Sequence, residues 1–215
     1  MKKLIAVILA LICVFGLFGC NADEVVPDVS DSTGAKISPL PTTLDVENLE
    51  DATVAVSLEK GDFYADENGN LMMNVTVFTY DLYDMVDIGM MKEGDTFVSG
   101  QNEILISSVE RDESGLVLIN GGLDNGGIEL KTDDATVYYE TGYSNVKSFY
   151  ELGKVSLPVS ADFVYSDTSD LNNDAITMNA EEFMNADIDY NFTADNTTIQ
   201  ITGGVVTSLT RVYMS

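Results

Sequence analysis

The rhythm of apolar positions changes twice along the chain. Leu4 to Phe18 is an almost unbroken apolar run, too short for an ordinary membrane-spanning helix. Asn21 to about Glu50 has no sustained apolar period and carries Pro27, Pro39 and Pro41 among small and acidic residues, so it predicts a flexible acidic spacer. From Asp51 onward, short alternating or β-branched runs are punctuated by turn residues, a strand pattern. Thr53–Leu58 and Leu71–Tyr80 predict two strands facing each other across the turn Asp66-Glu67-Asn68-Gly69-Asn70, where Asn68-Gly69 suits positive φ. Asp84–Met91 predicts one helical turn or an irregular corner. Strands are expected at Thr96–Val98, Glu103–Val109, Leu116–Asn120, Ile128–Leu130, Thr136–Tyr139, Val155–Val159 and Ala161–Tyr165. Ser148–Leu152 is read as a short helical turn. Asp174–Ala186 is the best helix candidate, with a shorter alternative starting at Asn179, since Glu182 three residues on completes a capping box. Thr197–Thr202, Gly203-Gly204 and Val205–Tyr213 form the clearest hairpin.

About ten short strands with few helices predict an all-β fold, an antiparallel barrel or sandwich of short strands with one or two short helices. The expected organisation is residues 1–19 as a signal segment, 20–50 as the spacer and 51–215 as one β-rich domain, with room for two packed β subdomains.

The front end adds a location. Lys2 and Lys3 precede the apolar run, which closes on Leu17-Phe18-Gly19-Cys20. These four residues, in that setting, resemble the lipobox of bacterial lipoproteins. The resemblance implies cleavage before Cys20 and transfer of a diacylglyceryl group to its thiol. Two acyl chains hold a protein stably at a membrane where one gives only marginal binding. The whole chain looks like the small lipoproteins common in Gram-positive anaerobes, which implies a lipid-anchored protein on the extracytoplasmic face of the cell membrane; beyond the signal, no motif ties it to a family of known activity. Cys13 lies inside the signal and leaves with it. The mature chain therefore has no disulfide, and packing or bound ions must stabilise it.

Charge and composition remove whole classes of chemistry. The net charge of −26 includes Lys2 and Lys3, so their removal brings it to −28. Such a chain repels nucleic-acid phosphates, and no nucleic-acid partner is expected. Histidine is absent. With no free cysteine either, the usual general base, Ser-His and Cys-His arrangements and thiolate metal sites are all excluded.

What remains are carboxylates and tyrosines. Asp170, Asn172, Asp174 and Glu181 occupy the first, third, fifth and twelfth places of an EF-hand-like loop, the one candidate for Ca2+. Ala175 stands where that loop needs glycine, and the same residues also suit turn and helix-start roles. Tyr138, Tyr139 and Tyr143 are the candidate ligand surface, since a ring with a hydroxyl tolerates a half-wet contact with sugar or peptide. Strand alternation would turn one of Tyr138 and Tyr139 inward and the other outward. No other cofactor is indicated. The leading expectation is a surface-anchored, non-enzymatic binding or scaffolding lipoprotein of the cell envelope, whose partners are the membrane, through its anchor, and a carbohydrate or envelope protein. The alternatives are a carboxylate-dependent hydrolase of envelope or external polysaccharide, and a calcium-stabilised adhesion-like module.

Overall fold

The computed structural model describes residues 34–213 except 60, 189 and 190. The signal segment and Cys20 lie outside the described residues. The expected spacer is folded over its described part, 34–50. Strand β1 (Lys36–Ile37) pairs there in parallel with a later strand, Thr96–Ser99, and Ile37 and Leu49 are buried. A low apolar density concealed these anchors, because each acts alone.

The first half of the fold is a ring of strands. β2 (Ala52–Ser57) and β3 (Phe63–Ala65) pair in succession along one edge of β4 (Leu71–Thr79), so they act as two halves of one interrupted strand. The turn between β3 and β4 is the expected one: Asp66 Oδ1 accepts from the backbone N–H groups of Asn68 and Asn70, both at 2.8 Å, and Gly69 takes φ 82°. The other edge of β4 pairs antiparallel with the first half of a 19-residue strand, Tyr150–Thr168. The far half of that strand runs parallel to Val205–Val212, which pairs with Thr197–Thr202, which pairs with β2. Five strands thus close on themselves. Because an odd ring cannot alternate direction throughout, one pair has to be parallel, and this is the departure from the purely antiparallel expectation.

Residues 80–149 form a second body inserted between two neighbours of the ring. It holds β5 (Leu82–Asp84), helix α1 (Met85–Met90), β6 (Thr96–Ser99), β7 (Asn102–Leu105), β8 (Val109–Arg111), β9 (Val117–Ile119), β10 (Ile128–Lys131) and β11 (Val137–Thr141). These make a sheet in the order β5-β11-β10-β9-β8 and a small one in the order β1-β6-β7. The expected strand Glu103–Val109 is broken between β7 and β8. The Asn120 side chain accepts there from the backbone N–H groups of Ser107 and Ser108 and turns the chain.

After the insertion come β12 (Tyr150–Thr168), β13 (Ile176–Asn179), helix α2 (Ala180–Asn185), β14 (Thr197–Thr202) and β15 (Val205–Val212). The expected helical turn at Ser148–Leu152 is instead the start of β12, where Tyr150 and Glu151 face Thr79 and Phe78; cross-strand pairing overrides the local pattern. β12 serves both sides of the ring by bending at register shifts between Glu151 and Gly153 and between Val159 and Val164. The helix expected over Asp174–Ala186 is the shorter alternative. Asn179 caps it by accepting from Glu182 N at 3.0 Å while Glu182 Oε2 accepts from Asn179 N at 2.9 Å, and Ile176–Asn179 pairs with β12 as an edge strand.

Each body has its own core. The ring encloses Val54, Val56, Met73, Val75, Val77, Phe163, Ile199, Val206 and Leu209 among others. Helix α2 seats Phe183, fully buried, among Phe63, Phe163, Tyr165 and Phe192, with ring centroids 4.8 to 6.2 Å away. The insertion packs Tyr83, Ile88, Phe97, Ile119 and Leu130 around Ile37. Among the described residues no helix is long and apolar enough to cross a membrane.

Candidate functional site: a polar groove on the barrel wall

The alternation of β4 and β12 builds the site. Val75 is buried and Val155 packs against the barrel core, which turns the neighbouring side chains outward. In the antiparallel register Lys154 lies opposite Thr76 and Ser156 opposite Asn74. Cross-strand partners stand about 5 Å apart, and residues two apart on one strand about 6.7 Å. The four side chains therefore outline a patch of about 5 by 6.7 Å. Asp62 closes one side, its backbone carbonyl accepting from Asn74 N at 2.9 Å and its Oδ2 from Glu59 N at 2.7 Å. Together these residues line a groove of about 410 Å³. A second depression, about 500 Å³, shares Val155 and Ser156 and runs toward the Gly203-Gly204 turn.

Among the described residues the side chains of Asn74, Thr76, Lys154 and Ser156 have no hydrogen-bond partner, and their donors and acceptors line the groove together. Many of the protein's acids behave differently. Asp66, Asp112, Asp134 and Asp170 each accept from residues in their own turn, and those bonds hold their carboxyls below the ordinary range. They are turn formers, unlike the four groove side chains.

The tyrosines and acids singled out from the sequence go elsewhere. Tyr138 packs against the insertion core. Tyr139 is buried, and its hydroxyl donates to Asp133 at 2.5 Å; burial first, then Asp133, pushes it up to about 12. Tyr139 is thus the inward ring of the pair, and Tyr138 is half-buried on the other face. Tyr143 stands 74% exposed on the turn that follows β11. Lys147 fills the space beside Tyr139, 4.5 Å from its ring centroid, 4.4 Å from that of Tyr80 and 3.2 Å from Asp133 Oδ2.

Asp170 Oδ1 accepts from Asn172 N at 2.9 Å and Oδ2 from the Asn173 amide at 2.6 Å, a local turn. Glu181 stands in the first turn of α2. Asp170, Asp174 and Glu181 do not come together: among the described residues no group of three or more acids is placed to hold a metal ion.

One acid departs from the turn-forming pattern. Glu140 is held above its ordinary range by burial, against the bonds it accepts from the Tyr83 hydroxyl at 2.5 Å and the Ser99 hydroxyl at 2.9 Å. Asp81 lies near enough to add to the rise. Both Glu140 oxygens are engaged by these two hydroxyls.

The groove was missed in the sequence because its four residues are ordinary strand residues some eighty positions apart. Only the pairing of β4 with β12 assembles them. No protein-family model, no curated protein and no solved structure matches the chain.

Proposed function

We propose that the protein is a lipid-anchored, non-enzymatic binding lipoprotein of the cell envelope, held outside the membrane by Cys20, and that the β4/β12 groove receives a saccharide unit. The observation that carries this reading is the set of four unpartnered polar side chains on one face, at a spacing that suits a ring of hydroxyl groups. An amide, two hydroxyls and one ammonium offer both donors and acceptors, as polyhydroxy ligands require. In strand order and direction the ring of β2, β4, β12, β14 and β15 follows the five-stranded OB barrel, in which the face of the second and third strands binds oligonucleotides or oligosaccharides. β4 and β12 are those two strands. The analogy is one of fold alone, and the charge of −26 favours the saccharide over the nucleic acid.

The hydrolase reading asks for two acids opposed across a cleft. Glu140, held above its ordinary range, has both oxygens engaged by Tyr83 and Ser99, so binding is the better supported reading.

Calorimetric titration with envelope-derived oligosaccharides tests the proposal. The double variant N74A/S156A is expected to bind about tenfold more weakly, a loss of about 1.4 kcal/mol. Its stability should change by no more than about 0.5 kcal/mol per site, as for other surface substitutions. Equal binding by parent and variant, or no oligosaccharide bound by the parent at millimolar concentration, would refute it.

A further inference from the structure

A larger hollow lies where the barrel meets the insertion, away from the polar groove. It measures about 620 Å³, and its walls include Pro39, Leu40, Pro41, Tyr150, Asp81 and Glu151. Leu40 and Tyr150 are 40% and 39% exposed, so the hollow presents apolar surface to solvent. The wall is pinned: Leu40 N donates to Leu82 O at 2.6 Å, and the two prolines have no N–H to offer. A ligand here is therefore recognised by side-chain chemistry and not by adding a strand to this segment.

Two features define that chemistry. Asp81 is fixed by the Tyr150 hydroxyl, which donates to Oδ1 at 3.0 Å, and by Gly100 N, which donates to Oδ2 at 3.3 Å. An ionised carboxylate has about four acceptor sites, so capacity remains for a cation. Glu151 adds a second carboxylate, and no lysine or arginine lines the hollow. The chain itself shows what an aromatic ring beside a carboxylate holds: Lys147 lies between the rings of Tyr80 and Tyr139 with Asp133 at its ammonium. At Tyr150 and Asp81 the same pairing of ring and carboxylate recurs, and among the described residues no lysine or arginine joins it.

We propose that this hollow receives a lysine or arginine side chain presented by a partner protein, with its aliphatic stem along Leu40 and Pro41 and its charged head between the Tyr150 ring and the carboxylates of Asp81 and Glu151. Charge complementarity selects this occupant. A second copy of this chain brings the same net charge of −26, and residues 21–33 carry Asp23, Glu24, Asp28 and Asp31 with no basic residue, so both are repelled. Long basic side chains cover apolar surface with their stems while the head meets an acceptor, which matches a hollow that is apolar on one wall and acidic on the other.

The test is amide chemical-shift mapping on the full-length chain in detergent micelles, with the peptide Ac-Ala-Leu-Arg-Leu-Ala-NH2 as probe. Saturable shifts are expected at Gly100, Gln101 and Tyr150, weakened about threefold or more by Glu151→Gln and also by raising the salt toward a Debye length of about 5 Å. Tyr150→Ala should remove binding, whereas Tyr150→Phe, which keeps the ring, should retain most of it. Three outcomes would overturn the proposal: equal shifts from the peptide with Glu in place of Arg, shifts from spermidine as strong as those from the peptide, or no shift at these amides. Substitutions in the polar groove should leave these shifts unchanged, so the two sites stand or fall separately.

Discussion

Asp167 gives the sharpest energetic prediction. It lies on β12 at 6% exposure and accepts from Arg211 Nε at 3.0 Å and Nη2 at 2.5 Å, from the Tyr165 hydroxyl at 2.8 Å and from Ser169 N at 2.9 Å. The Arg211 guanidinium also lies 5.1 Å from the centre of the Phe192 ring. Burial alone would push the Asp167 carboxyl up, but Arg211, Ser169 and Tyr165 outweigh it and hold the group well below the usual range. The substitution Asp167→Asn keeps the shape and removes the charge. Taking one partner from a buried pair costs about 3 to 5 kcal/mol; because the amide oxygen still accepts from Tyr165 and Ser169, about 3 kcal/mol is expected. With a urea slope of about 2 kcal/mol/M, the midpoint should fall by about 1.5 M. A carboxyl whose folded-state pKa is depressed stabilises above its unfolded value, here 3.8, and loses that contribution as pH falls toward the folded value. The gap between parent and D167N should therefore be full at pH 6 and shrink steadily below about pH 4. Urea denaturation across that range reads it. A gap under about 1 kcal/mol at neutral pH, or one that does not change with acidification, would refute the reasoning.

Glu140 should behave in the opposite sense. Its folded-state pKa is raised above the unfolded value of 4.5, so ionisation opposes folding as pH rises, and E140Q should gain stability relative to the parent between about pH 4 and 7; a flat or falling difference in the same urea series would contradict this. Two glycines make a matched pair. A Cβ on Gly127 would stand 2.0 Å from the Ile119 carbonyl oxygen, so G127A should cost about 3 kcal/mol or more, while G89A, exposed on α1 with nothing within 4 Å, should be neutral or stabilise by up to about 1 kcal/mol, both checked by thermal melts. Cys20→Ser should move the protein from the membrane to the soluble fraction, and fractionation of the intact cell finds the anchor absent if parent and variant distribute alike.

Local signals carried much of the fold. Asn68-Gly69 and Gly203-Gly204 mark turns that the structure places at 66–70 and 203–204, and Asn179 with Glu182 marks the start of α2, because each element is decided by residues within a few positions of one another. The ring was not legible, since its closure depends on β12 pairing with β4 at one end and β15 at the other. Nor was the break between β7 and β8, which depends on an Asn120 side chain a dozen residues away. The packing of the tyrosines was not legible either: Tyr138 is half-buried against the insertion core and Tyr139 is buried, while Tyr143 stays exposed. Asn74, Thr76, Lys154 and Ser156 carry no motif at all. Their significance arises only from shared orientation and from having no hydrogen-bond partner among the described residues.

Chemical-shift mapping of the full-length protein during titration with an envelope-derived oligosaccharide tests the binding reading most directly. The amides of Asn74, Thr76, Lys154 and Ser156 are expected to move together and saturate with a single affinity. Saturable binding that leaves these four still while shifting another face would contradict the assignment of the groove.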